Sequence, residues 1–170
     1  LSKVFIEEDF FPLNIYNEIV QKMISIEYVP PSKSKIETHS GCYWHEHILI
    51  NNCDVQNEVK KLINKKFNFK TNNFIQTTYT MVGANDMPRP HTDIGEMGCK
   101  YQCLIFMHGP ESVNNGTGFY NINKSNELEL SIHVGFKCNR AIFFSSDVYH
   151  APLQWAGNGS FRYSICNFFN

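Results

Sequence analysis

The chain has 170 residues and a formal net charge of −1, which excludes the broad basic field that nucleic-acid binding draws on. At this length one domain buries roughly 70% of the surface its unfolded chain exposes, so a full core is within reach and no second domain is required. Aromatic residues make up 14% of the sequence, with 14 Phe and 8 Tyr among them, and this weighting favours a β core over a helical bundle. No charged-then-apolar leader is present, and no apolar run approaches the roughly 18 residues that span a bilayer, so no membrane association is expected. The six cysteines include no C-x-x-C pair and read as reduced thiols in a cytoplasmic protein.

Residues 3–11 alternate loosely as a short strand through Val4, Phe5 and Ile6. Pro12 then opens a helix over 12–26, with Leu13, Tyr16, Ile19, Val20, Met23 and Ile24 at helical spacing. Val29-Pro30-Pro31-Ser32 stops it, and a polar linker leads to a strand over 42–50. His45 and His47 share a face of that strand, with His39 nearby. No carboxylate or cysteine completes a ligand spacing there, so these histidines read as rim or surface. A second helix covers 54–67, with Val55, Val59, Leu62 and Ile63 on one face and Lys60, Lys61, Lys65 and Lys66 on the other, a solvated face.

After this the period changes from helical to two. Strands are predicted over 74–82, 101–107, 119–122, 128–134, 141–145 and 160–169, with a turn at 83–86 and a loop over 108–118 carrying Gly109-Pro110 and Asn115-Gly116. Short strands at such intervals, with helices only on the N-terminal side, predict a mainly β (α+β) sandwich or barrel backed by two helices. The expected organisation is a single domain over 1–170, with 1–73 as helical support and 74–170 as the β core.

Candidate chemistry begins at Arg89-Pro90-His91-Thr92-Asp93. A histidine and a carboxylate two residues apart in extended chain point the same way and can share one metal ion. His150, just after the apolar strand Ala141-Ile142-Phe143-Phe144, is the third ligand candidate. Two imidazoles and a carboxylate with open positions suit iron(II) in an oxygenase, while zinc accepts the same trio. Arg162 and Ser164 lie on the last strand and face the same way. A buried guanidinium beside a hydroxyl is a carboxylate clamp, and it points to an acidic cosubstrate.

His91-Thr92-Asp93, Gly116-Thr117-Gly118-Phe119-Tyr120, the run from Gly135 to Phe144 into His150, and Arg162-Tyr163-Ser164 together resemble the iron(II)- and 2-oxoglutarate-dependent oxygenases, in their prolyl-4-hydroxylase-like branch. The resemblance covers residues 74–169. It implies a double-stranded β-helix (jelly roll), His91, Asp93 and His150 as iron ligands, and Arg162 with Ser164 on the distal carboxylate of 2-oxoglutarate. Tyr79 resembles a family tyrosine that reaches the cosubstrate. The implied activity is a dioxygenase that uses O2 and hydroxylates a C–H bond of a peptidyl or small amino-acid-like molecule, releasing succinate and carbon dioxide.

The chain departs from the family at Phe106, where several relatives carry a tyrosine beside the clamp, leaving Tyr101, Tyr79 or Ser164 to assist. Candidate substrate walls are Tyr43, Trp44, Pro88-Arg89-Pro90, the loop 95–100 and Trp155. Two other readings stand beside this one: a jelly-roll binding module without turnover, and a zinc hydrolase using the same trio with Glu96 as its base. Oligomeric state is not legible in the sequence.

Overall fold

The computed structural model describes residues 4–28, 42–45, 53–71, 73–83, 89–94, 98–153 and 161–170, with the backbone alone at 42–45, 53 and 83. The elements in chain order are β1 (Val4–Glu7), α1 (Leu13–Ile24), β2 (Cys42–His45), α2 (Cys53–Lys66), β3 (Phe74–Gly83), β4 (Tyr101–His108), β5 (Ser112–Ile122), β6 (Leu128–Phe136), β7 (Arg140–Ser145), β8 (Tyr149–Leu153) and β9 (Phe161–Phe169). Among the described residues, no helix is long and apolar enough to cross a membrane.

Strand alternation sorts the apolar residues into two cores on opposite faces of one sheet. The larger sheet has six strands in the order β1-β7-β4-β9-β3-β2, and the smaller has three in the order β6-β5-β8. Ala141 and Phe143 of β7, Cys103 and Ile105 of β4, and Ile165 and Phe169 of β9 pack with Ile19, Val20 and Met23 of α1 and Val59, Leu62 and Ile63 of α2. The intervening residues Ile142, Phe144 and Phe106 pack instead against Phe119, Val134 and Phe136 of the smaller sheet. Period two in the strands thus gives the large sheet a helix-covered face and a face closed by the second sheet. The result is the helix-backed jelly roll expected from the sequence.

Two stretches differ from the sequence-based expectation. Residues 112–118, read as loop because of their Asn and Gly content, form the first part of β5. Its pairing with β6 shifts register between Ser112 and Gly116, and Gly116 has φ +146 with the Val134 carbonyl oxygen only 1.9 Å from where a Cβ would stand. The glycine there answers a close approach between strands rather than a turn. Strand β8 is the second difference: Tyr149-His150-Ala151-Pro152-Leu153 contains a proline, yet it lies at the edge of the smaller sheet, where a missing N–H donor is tolerated.

Candidate functional site

His91 and His150 come from distant parts of the chain and are joined backbone to backbone. His91 N–H donates to the His150 carbonyl at 3.0 Å and His150 N–H returns the bond to His91 at 2.9 Å. Asp93 N–H donates to the Ser146 carbonyl at 3.1 Å, which holds the short segment against the β7–β8 connection. Extended geometry across Thr92 then turns His91 and Asp93 toward His150. The three potential ligand atoms lie within 4.8 Å of one another. His150 Nε2 is 3.4 Å from Asp93 Oδ2, and His91 Nε2 is 3.8 Å from Asp93 Oδ1.

Both imidazoles are oriented from behind. His91 Nδ1 lies 3.0 Å from the Arg89 carbonyl, and His150 Nδ1 lies 3.0 Å from the Val148 carbonyl. A carbonyl accepts, so each ring carries a proton on Nδ1, which leaves Nε2 as the atom that would meet a metal at the common point. Phe144 and Phe119 flank His150, with ring centroids 4.9 Å and 6.4 Å away. Burial pushes the Asp93 carboxyl up, but the hydrogen bond and charge of His150, the charge of His91 and the Gln102 amide outweigh it and hold the group below the ordinary carboxylate value. With a metal bound, the donor set would be two neutral imidazole nitrogens and one anionic oxygen. Ligands about 2.1 Å from a common ion stand roughly 3–4 Å apart, and the two His–Asp separations fall in that range for a divalent first-row metal.

Sequence reasoning missed the partner of the carboxylate. Gln102 Nε2 donates to Asp93 Oδ2 at 2.6 Å, and both residues are buried. Alternation in β4 marks Gln102 as inward-facing, but no spacing rule links it to Asp93.

The second part of the site lies on β9. Arg162 is paired with Val82, and Ser164 with Thr80 and Phe106, so these side chains share the face toward the smaller sheet. Arg162 is only 3% exposed. Its guanidinium carbon lies 5.9 Å from the Phe106 ring centroid. Nη1 donates to the Gly116 carbonyl and, at 3.2 Å, to the Leu153 carbonyl. The arginine thus reaches from the large sheet to two strands of the small one.

Tyr79 is not brought to this face. It is paired with Ile165, whose other neighbour in the register is Ile105, and all three belong to the helix-side core. A residue of the opposite parity, Thr80, occupies the side shared with Ser164. Tyr101 also faces the helices, stacked 5.7 Å from Phe143. The clamp side of the sheet therefore offers Thr80, Ser164, Gln102 and Phe106, and the expectation of a tyrosine there is corrected. Glu96, Trp155, Pro88, His39 and His47 lie outside the described residues, as do the side chains of Tyr43, Trp44 and His45.

No protein-family model matches the chain, and no curated protein matches it in sequence. Solved structures match along nearly its whole length. A prolyl-4-hydroxylase from Pseudomonas putida superposes with a TM-score of 0.64 at 14% identity, covering 99% of this chain and 92% of that one. The prolyl hydroxylase of Trichoplax adhaerens, in complex with a peptide of the hypoxia inducible factor oxygen degradation domain, gives 0.66 at 12% identity, covering 98% and 83%. HygX from Streptomyces hygroscopicus, with nickel, 2-oxoglutarate and hygromycin B bound, gives 0.62 at 8% identity, covering 99% and 83%. The chain has the jelly-roll fold of the 2-oxoglutarate- and iron(II)-dependent oxygenases, and its His-Asp-His group joins His150 of β8 to His91 and Asp93 of the segment bridged to it.

Proposed function

We propose that this chain is an iron(II)- and 2-oxoglutarate-dependent dioxygenase that hydroxylates a C–H bond of a peptidyl or small amino-acid-like substrate. The observation that carries the reading is the pairing of a His-Asp-His trio, its imidazole tautomers already set, with a buried arginine on the same inter-sheet face. A zinc hydrolase needs the trio but has no use for the arginine; a dicarboxylate cosubstrate needs both.

When bound, iron(II) supplies the oxygen chemistry, in which 2-oxoglutarate and O2 become succinate and carbon dioxide as a substrate C–H becomes C–OH. His91, Asp93 and His150 are the residues that would hold the metal. Arg162, with Ser164 beside it, meets the distal carboxylate, and the Phe106 ring steadies the guanidinium. Phe119 and Phe144, which flank His150, would keep water from a metal held there. The substrate class is carried over from the similar structures, one of which holds a peptide and another hygromycin B. Reduced thiols at Cys99, Cys103 and Cys138 accord with a reducing, cytoplasmic setting.

The test is spectroscopic. Anaerobic addition of iron(II) and then 2-oxoglutarate is expected to raise a visible metal-to-ligand charge-transfer band that is lost in Asp93→Ala. Metal-loaded, folded protein without that band would overturn the reading in favour of a hydrolytic metal site. A band without succinate formation, over a panel of peptides and amino acids in air, would mark a binding module instead.

A further inference from the structure

We infer that Thr117 is a cosubstrate-positioning residue, donating a hydrogen bond to the carboxylate that Arg162 holds. The inference rests on the proposed 2-oxoglutarate reading and adds to it a residue that sequence spacing does not single out.

Thr117 is 1% exposed, and its hydroxyl is fully buried without a hydrogen-bond partner among the described residues. Native interiors leave few polar groups unmet, and one that is unmet next to a binding space marks a position for something the protein itself does not supply. Register gives its direction. Thr117 is paired with Val134 on one side and Pro152 on the other, and Phe119, two residues along, is paired with Ile132 and His150. Val134 and Phe119 belong to the inter-sheet core, so Thr117 points into the same space.

Two relations locate the hydroxyl with respect to the rest of the site. The carbonyl of Gly116, the preceding residue, accepts from Arg162 Nη1, and so does that of Leu153, which follows Pro152. Thr117 therefore enters the inter-sheet space beside the guanidinium. The metal end of the same strand pair is marked by Phe119 opposite His150. Two residues of strand span about 6.6 Å, comparable with the length of a five-carbon dicarboxylate. A 2-oxoglutarate with its keto acid at the metal would run along β5 and β8 and present its far carboxylate to Thr117 and Arg162 together. Threonine suits the position, since its methyl group packs in the apolar layer while its hydroxyl serves the anion.

The experiment uses the full chain loaded with nickel(II), so that binding is read without turnover, and titrates 2-oxoglutarate by calorimetry. Thr117→Val keeps the shape and removes the donor, and is expected to weaken 2-oxoglutarate about 10- to 100-fold, the usual scale for a hydrogen bond to a charged group. Thr117→Ser is expected to recover most of that loss, and nickel affinity is expected to stay at the wild-type value in both. Tyr79→Phe, which removes a hydroxyl on the other face of the sheet, serves as the control and is expected to bind as wild type. Equal 2-oxoglutarate affinity in wild type and Thr117→Val overturns the inference, as does a Thr117→Ser variant as weak as Thr117→Val. Failure of the nickel-loaded wild type to bind 2-oxoglutarate at all sinks the underlying oxygenase reading instead.

Discussion

Gln102 donates its side-chain amide to Asp93 at 2.6 Å, across the buried gap between β4 and the segment that carries His91 and Asp93. The bond fixes which way the carboxylate faces before any ion arrives. Removing such a partner of a ligand ordinarily costs about 10- to 100-fold in metal affinity. Gln102→Leu is expected to fall in that range for iron(II), read by competition with a coloured chelator, with the metal-free fold kept. Unchanged affinity would mean that Gln102 only fills space.

Phe106 lies under the Arg162 guanidinium. A ring in that position stabilises the cation by about 0.5–2 kcal/mol, more when water is excluded. Phe106→Leu is therefore expected to weaken 2-oxoglutarate about 2- to 30-fold in a calorimetric titration while metal affinity holds. Should metal affinity fall in parallel, the ring would be acting through the core shared with Phe119 and Phe136 and not through the arginine.

Tyr79 has a buried hydroxyl on the helix side of the sheet, without a hydrogen-bond partner among the described residues, and burial pushes its ionisation up to about 12 from an ordinary value of 10.0. A raised value in the folded state means that the associated stability is whole below about pH 10 and is lost as the pH rises through 12. Tyr79→Phe is expected to flatten that alkaline limb in urea unfolding measured from pH 8 to 12. At neutral pH the variant should lose little stability, since the hydroxyl makes no bond to forfeit among the described residues.

Gly116 has no room for a side chain, because a Cβ would stand 1.9 Å from the Val134 carbonyl oxygen, and its φ of +146 disfavours one further. Gly116→Ala is expected to destabilise by roughly 3 kcal/mol or more, seen as a drop in thermal midpoint. It is also expected to weaken 2-oxoglutarate, because the Gly116 carbonyl that receives Arg162 would have to move.

What could be read in the sequence follows from what is local. His91, Asp93 and His150 stood out because a two-residue offset and a preceding apolar strand need only the pleat to be interpreted, and the structure brings those three side chains together. Arg162 and Ser164 share a face for the same reason. Tyr79 shows the limit: its strand was legible, but which parity the helices cover depends on the packing of α1 and α2, and this assigns Tyr79 to their side. Gly116-Thr117-Gly118 read as loop because small residues break local periodicity, whereas here they accommodate a neighbouring strand. Gln102 escaped notice because its role comes from a tertiary contact with Asp93. The proline of β8 is acceptable only at a sheet edge, and edges are not visible in one dimension.

The reciprocal backbone bonds between His91 and His150 bear on how a metal held by the proposed trio would be exchanged. Since folding itself brings the two imidazoles together, capture of an ion requires little reorganisation, and release need not unravel the strands. Occupancy then follows supply. A trio of this composition would bind nickel, copper or zinc at least as tightly as iron, so under the proposed reading the ion held would follow the metals abundant where the chain folds, and protein purified with the wrong one is expected to be restored by exchange without refolding.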